Sequence, residues 1–280
     1  MILPEFILPS RANQHWQYTG IDSPEKYCNL AHFRAYPHQV EYSYNNRGFR
    51  DTDWPVDLKE SIWCIGDSFT VGLGQPWSHT WPQRLQAKTN TRTINVSLDG
   101  ASNDWIARKT LDLIDNVSPD IIVIQWSFIH RREESLYRTR QRIWSEFYNN
   151  VKDTSWPPCP DVNSRSELPE FIQKEIVELH SVPDFSVSDE DRRLLEDNTT
   201  DQQDVENLIL HIQQVDAASP GKIIHSFIPN FAPSHVDRHP IFSAAKCSAG
   251  EVKQLDRSRD SFHYDLLSAD LFVSGVCQLL

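Results

Sequence analysis

A serine hydroxyl becomes a useful nucleophile only when a base takes its proton, and the base needs a partner to hold its ring. The chain carries the residue types for this chemistry in a suitable order. Gly66-Asp67-Ser68-Phe69 ends a short apolar run, and Asp260-Ser261-Phe262-His263 stands just before the last apolar segment. Asp-x-x-His alone arises often by chance. Joined to a Gly-Asp-Ser at a strand end, it points to nucleophilic catalysis through a serine. In open parallel sheets ligands bind at the carboxyl ends of the strands. A serine placed there exposes its hydroxyl while the following backbone N–H groups point into the cleft. Glycine use agrees: of nine glycines, four (Gly66, Gly72, Gly74 and Gly100) fall between residues 66 and 100. Glycine is needed where backbone turns tightly or approaches a ligand.

Other clusters carry a weaker signal. His235-Val236-Asp237-Arg238-His239 offers metal-ligand residue types, but its spacing fits no standard zinc pattern and nearby prolines mark a loop. Neither a metal nor any other cofactor is expected. Arg131, Arg132, Arg138, Arg140 and Arg142 form a local basic run, which a solvated helix face explains better than an anion site. Gly66, Gly72 and Gly74 do not form GxGxxG and no Walker lysine follows, so a nucleotide fold is the weaker reading. The nine tryptophans fit core or cap packing better than a sugar-stacking platform.

The elements that must position Ser68 alternate between strand and helix. Residues 61–66, 93–96, 121–126 and 222–228 are short apolar runs and read as buried strands. A helix is expected at 81–88, with Thr80 as N-cap and Pro82 in its first turn. A second, at 103–117, puts Ala107, Leu111, Ile114 and Val117 on one face. A third runs through 205–215 after a capping box at 200–203, and a fourth covers 266–279. This alternation predicts an α/β fold, a three-layer α/β/α domain around a parallel, flavodoxin-like doubly wound sheet. Residues 1–57, rich in aromatics and prolines, are expected to wrap a main domain at 58–280. Residues 127–198 are too many for a simple crossover. They read as an insertion after the third strand, with helices at 136–148 and 169–179 and a rigid loop at 156–160.

Composition bounds the function further. With 39% hydrophobic and 24% charged residues a core can be buried, so disorder is not expected. A net charge of −12 disfavours nucleic acid or an anionic membrane as the main partner. The apolar runs are far shorter than a membrane span. Five scattered cysteines without a CxxC pair, and a first segment without signal-peptide character, favour a cytoplasmic location. No feature of the sequence sets an oligomeric state.

Three blocks of the chain resemble the SGNH/GDSL family of esterases, lipases, carbohydrate deacetylases and related acyltransferases. The first is Ile65-Gly66-Asp67-Ser68-Phe69-Thr70, followed by Gly72 and Gly74. The second is Asn95-Val96-Ser97-Leu98-Asp99-Gly100, and the last is Asp260 to His263. Upstream, Asn45-Asn46-Arg47-Gly48-Phe49-Arg50 is similar to a segment preceding the Gly-Asp-Ser strand in some bacterial members. The resemblance implies Ser68 as nucleophile, His263 as base and Asp260 as its orienter. It also implies the backbone N–H groups of Ser68 and Gly100 as oxyanion-hole donors. The implied activity is hydrolysis of an acyl ester, of the O-acyl or O-acetyl kind, on a carbohydrate or other small molecule through an acyl-enzyme. Acyl transfer on the same fold, or ligand binding without turnover, are the alternatives. One block departs from the family. Its Gly-x-Asn-Asp falls on Ser127-Phe128-Ile129-His130, so Ile129 stands where an asparagine would complete the oxyanion hole. Ser127, His130, Arg131 and Asn103 are the candidate substitutes for oxyanion or substrate contacts.

Overall fold

The computed structural model describes residues 6, 8, 11–19, 22–24, 31–131 and 201–280. Near the N-terminus, β1 (His15–Trp16) pairs antiparallel with β2 (Tyr42–Ser43), and α1 (Ala31–Ala35) lies between them in sequence. Apolar runs without polar alternation are stable only when covered on both faces, and the central sheet is made of them. In β3 (Ile62–Gly66) and β4 (Thr93–Ser97) every residue is buried. In β5 (Ile121–Trp126) and β6 (Lys222–Phe227) all but the first are.

With β7 (Ser248–Glu251) these strands form one parallel sheet in the order β4-β3-β5-β6-β7. That is the flavodoxin-like order 2-1-3-4-5, with its switch point beside β3. The chain moves one way from β3 to β4 and the other way from β4 to β5. Right-handed crossovers then put the connecting helices on opposite faces. Accordingly α3 (Trp81–Thr89) packs against α7 (Leu266–Leu279), and α4 (Asn103–Val117) packs against α5 (Asp201–Ala218). The result is the expected α/β fold in three layers. Two short helices also lie among the described residues, α2 (Ser68–Val71) directly after β3 and α6 (His239–Ala244) before β7.

Local differences from expectation have physical causes. Thr80 stands at the N-cap of α3 but makes no side-chain capping bond; its hydroxyl donates to the carbonyl of Trp77 (2.9 Å). In α4 the buried face is wider than the expected stripe: Trp105, Ile106 and Leu113 turn inward while Leu111 and Val117 are only half-buried. Its N-cap is Ser102, which accepts from the Trp105 N–H. Trp63, Trp81, Trp105 and Trp126 are fully buried, as core packing requires. A smaller cluster of Val40, Tyr42, Tyr44, Val71 and Leu73 joins the N-terminal segment to the loop after α2. The expected helices at 136–148 and 169–179, the loop at 156–160, Thr200 and the arginines Arg132, Arg138, Arg140 and Arg142 lie outside the described residues. No described helix is long and apolar enough to cross a membrane.

Candidate active site

Ser68 is the first residue of α2, at the carboxyl end of β3 and beside the topological switch point. Its N–H therefore has no partner within the helix. Asp67 is the N-cap and accepts from the Phe69 N–H (3.0 Å), which fixes the turn. Gly100 lies in the loop after β4 at φ 77°, a backbone that L side chains rarely adopt.

The residue expected as base comes from a distant part of the sequence. His263 Nε2 lies 2.8 Å from Ser68 Oγ, and His263 Nδ1 lies 2.6 Å from Asp260 Oδ2. The phenyl ring of Phe69 (4.5 Å between centroids) and that of Phe262 (5.0 Å) brace the imidazole. All three polar residues are buried, at 3% exposure for Ser68, 3% for Asp260 and 0% for His263.

Burial alone would raise the Asp260 carboxyl and lower the His263 imidazole. The pairing outweighs burial in both. Asp260 is held below the usual carboxylate range by His263, by the Phe262 N–H and by the Ser258 hydroxyl. His263 is held above the usual imidazole value, chiefly by Asp260 and less by Asp67 and Asp99. Asp260 Oδ1 is saturated by the Ser258 hydroxyl (2.8 Å) and the N–H groups of Phe262 (2.8 Å) and His263 (3.0 Å). Its other oxygen is left to the imidazole. With an acceptor at Nδ1, the proton sits there and Nε2 is free to accept from Ser68.

A buried group behind Ser68 was visible in the sequence only in part. Asp67 Oδ2 accepts from the Ser127 hydroxyl (2.6 Å) and from Arg131 Nη1 (2.9 Å), which also reaches Ser127 Oγ (3.0 Å). Burial still pushes Asp67 up, against the Arg131 charge. This corrects the expectation for Ser127. Its one hydroxyl proton is spent on Asp67, so it has none to offer an oxyanion. Arg131 keeps further N–H groups, and its buried Nε has no hydrogen-bond partner. Asn103 is also committed: its side chain accepts from the Ser127 N–H (2.9 Å) and donates to the Phe128 carbonyl (3.0 Å). Ile129 is a core residue at 2% exposure, and its N–H donates to the Phe231 carbonyl (2.8 Å). Its apolar identity follows from that packing. His130 stacks on Phe128 (5.6 Å, 18°), and burial, helped by Arg131, lowers its imidazole to about 4. It is neutral at pH 7.

His235 pairs with Asp201 (2.6 Å) and His239 with Ser243 (3.4 Å), so the two histidines serve separate local contacts. No group of three metal-ligating residue types occurs among the described residues.

No protein-family model matches the chain, and no curated protein matches it. Among solved structures it is similar to TesA, at 14% identity and a TM-score of 0.43, over 79% of this chain and 97% of that one. It is also similar to a family two carbohydrate esterase from Clostridium thermocellum in complex with cellohexaose, at 13% identity and a TM-score of 0.44. That match spans 81% of this chain and 65% of the esterase. A GDSL-like lipase from Bacteroides thetaiotaomicron matches at 9% identity and a TM-score of 0.37, over 81% of this chain and 90% of the lipase. Likeness at these levels bears on neither substrate nor mechanism.

Proposed function

We propose that the chain is a serine esterase of the SGNH/GDSL type that acts on an O-acyl ester of a carbohydrate or other small molecule. The observation that carries this reading is the continuous line of hydrogen bonds from Ser68 Oγ through the His263 ring to Asp260. His263 Nε2 takes the proton as Ser68 Oγ attacks the acyl carbon. The N–H groups of Ser68 and Gly100 receive the oxyanion, with Arg131 the third donor we favour. The bond to the leaving alcohol then breaks, and its oxygen takes the proton from His263. A water, deprotonated in turn by His263, attacks the acyl-Ser68 carbonyl and releases the acid. An alcohol in place of that water would make the same protein an acyltransferase. Phe262 is 52% exposed beside His263, and in this reading it gives the leaving alcohol an aromatic wall. The free thiols at Cys64, Cys247 and Cys277 suit a reducing, cytoplasmic setting.

A fluorophosphonate probe tests the reading directly. Mass spectrometry is expected to place one adduct on Ser68, lost in both Ser68→Ala and His263→Ala. A wild-type protein that takes up no probe while hydrolysing no activated acetyl ester would leave a ligand-binding protein instead.

A further inference from the structure

The acid–base loop is gripped from outside by residues far away in sequence. Arg259, next to Asp260, is 7% exposed, and its guanidinium donates to the fully buried Asp22 Oδ2 through Nη2 (2.5 Å) and Nε (3.1 Å). The Tyr42 hydroxyl donates to the same oxygen (2.6 Å) and accepts from the Gly74 N–H (2.7 Å). The Arg259 N–H returns to the Gly74 carbonyl (2.9 Å). Gly74, Tyr42, Asp22 and Arg259 thus form a closed ring of bonds. That ring ties the loop after the nucleophile helix to the loop that carries Asp260. At Gly74 the two loops touch: a Cβ would lie 2.6 Å from Ser258 Oγ and 3.1 Å from Asp260 Cγ. Arg259 is also stacked over Tyr18 (4.6 Å), and His32 Nε2 lies 2.7 Å from the Ser258 carbonyl.

A buried ion pair is weak evidence for stability, because desolvation offsets most of its attraction. What this one supplies is a unique position for Arg259, and therefore for the next residue. We propose that Asp22, acting through Arg259 and Tyr42, is a positioning residue for the Asp260–His263 pair, so that the N-terminal segment is part of the active-site machinery. The proposal rests on the esterase reading, in which that pair is the base.

The test uses the full chain with Asp22→Asn, Tyr42→Phe and Arg259→Lys. Val276→Ala, in the last turn of α7, serves as a control for general loss of stability. Asp22→Asn is expected to lower kcat by about 10–100-fold with KM little changed, since displacements of the order of 1 Å cost that much. Tyr42→Phe should lose less, and Arg259→Lys should retain more activity than an added Arg259→Ala variant. In ¹⁵N NMR, His263 of the wild type is expected as the Nδ1–H tautomer, with the Nε2–H form appearing in Asp22→Asn and Tyr42→Phe. Val276→Ala should keep wild-type kcat and tautomer while melting earlier. The idea is overturned if Asp22→Asn and Tyr42→Phe melt earlier yet keep wild-type kcat and tautomer. If Asp22→Asn does not fold, Tyr42→Phe decides alone. A wild type inert towards every ester would defeat the esterase reading, and the tautomer would still report on the positioning.

Discussion

Ser68 stands on regular backbone, at the end of a strand and the start of a helix, whereas His263 stands in an irregular loop between β7 and α7. Each corner buries an aspartate, and the two aspartates behave differently. Asp260 gathers three donors on one oxygen and an imidazole on the other, and is held low. Asp67 faces one guanidinium, one hydroxyl and one N–H, and burial still pushes it up. A corner built by strand and helix needs little help from its carboxylate beyond a cap. A corner without regular structure is gathered around its carboxylate, which takes backbone N–H groups, a hydroxyl and the imidazole on its two oxygens.

The largest effect should come from separating the two corners chemically. Ser68→Ala and His263→Ala are each expected to cut kcat on an activated ester by about 10³-fold or more, with the double variant little worse than either. Chromatography and thermal unfolding should show both still folded. Additive losses would mean that the two residues do not act as one unit.

The nucleophile corner can be stressed alone. Arg131→Met leaves the Asp67 carboxylate buried without its cation, a change that typically costs about 3–5 kcal/mol. Asp67 is already raised by burial, so its favourable contribution is full in acid and is lost as pH rises through its folded value. The destabilisation should therefore be larger at pH 8 than at pH 5 in urea titrations. Asp67→Asn in the same protein should recover most of it. A loss independent of pH would place the damage elsewhere.

The acid–base corner predicts a pH profile. Because His263 is raised, kcat/KM should climb through an inflection above the ordinary histidine value of about 6.5. The stability from its charged pairing with Asp260 is complete below about 6.5 and fades as pH rises through the folded value. Asp99→Asn should lower the inflection slightly, since Asp99 contributes to the shift. An inflection below 6.5 would contradict the pairing seen here.

The smallest effect concerns Phe262. Phe262→Ala should raise KM a few-fold for esters with a ring-bearing alcohol and change it little for ethyl acetate; stacking on an aromatic is worth about 0.5–1.5 kcal/mol. Equal KM for both esters would remove Phe262 from the leaving-group side.

The same contrast explains what could be read from residues alone. Residues 62–65 and 122–124 are unbroken apolar runs, so the central strands were legible. β7 is Ser-Ala-Gly-Glu at the sheet edge, half-exposed and carrying a register shift opposite His225 and Ser226. No hydrophobic pattern marks such a strand, and it was missed. Ser68, Asp260 and His263 are brought together as one hydrogen-bonded line. Their neighbours Asp67 and Arg131 were noticed, but their pairing is a tertiary fact. Asp22 carried no local signal. Its role depends on Arg259, and only folding brings the two within 2.5 Å.

That separation has a consequence in time. Asp22 and Arg259 lie 237 positions apart in the chain. A ribosome adding about 5–20 residues per second exposes the first of them on the order of 10–50 s before the second. For most of that interval Ser68 has been synthesised, while His263, the base of the proposed reaction, has not. On the esterase reading, a nascent chain of this protein is therefore chemically silent until His263 emerges. On the same reading, truncation between Ser68 and His263 yields a polypeptide with a serine and nothing to activate it.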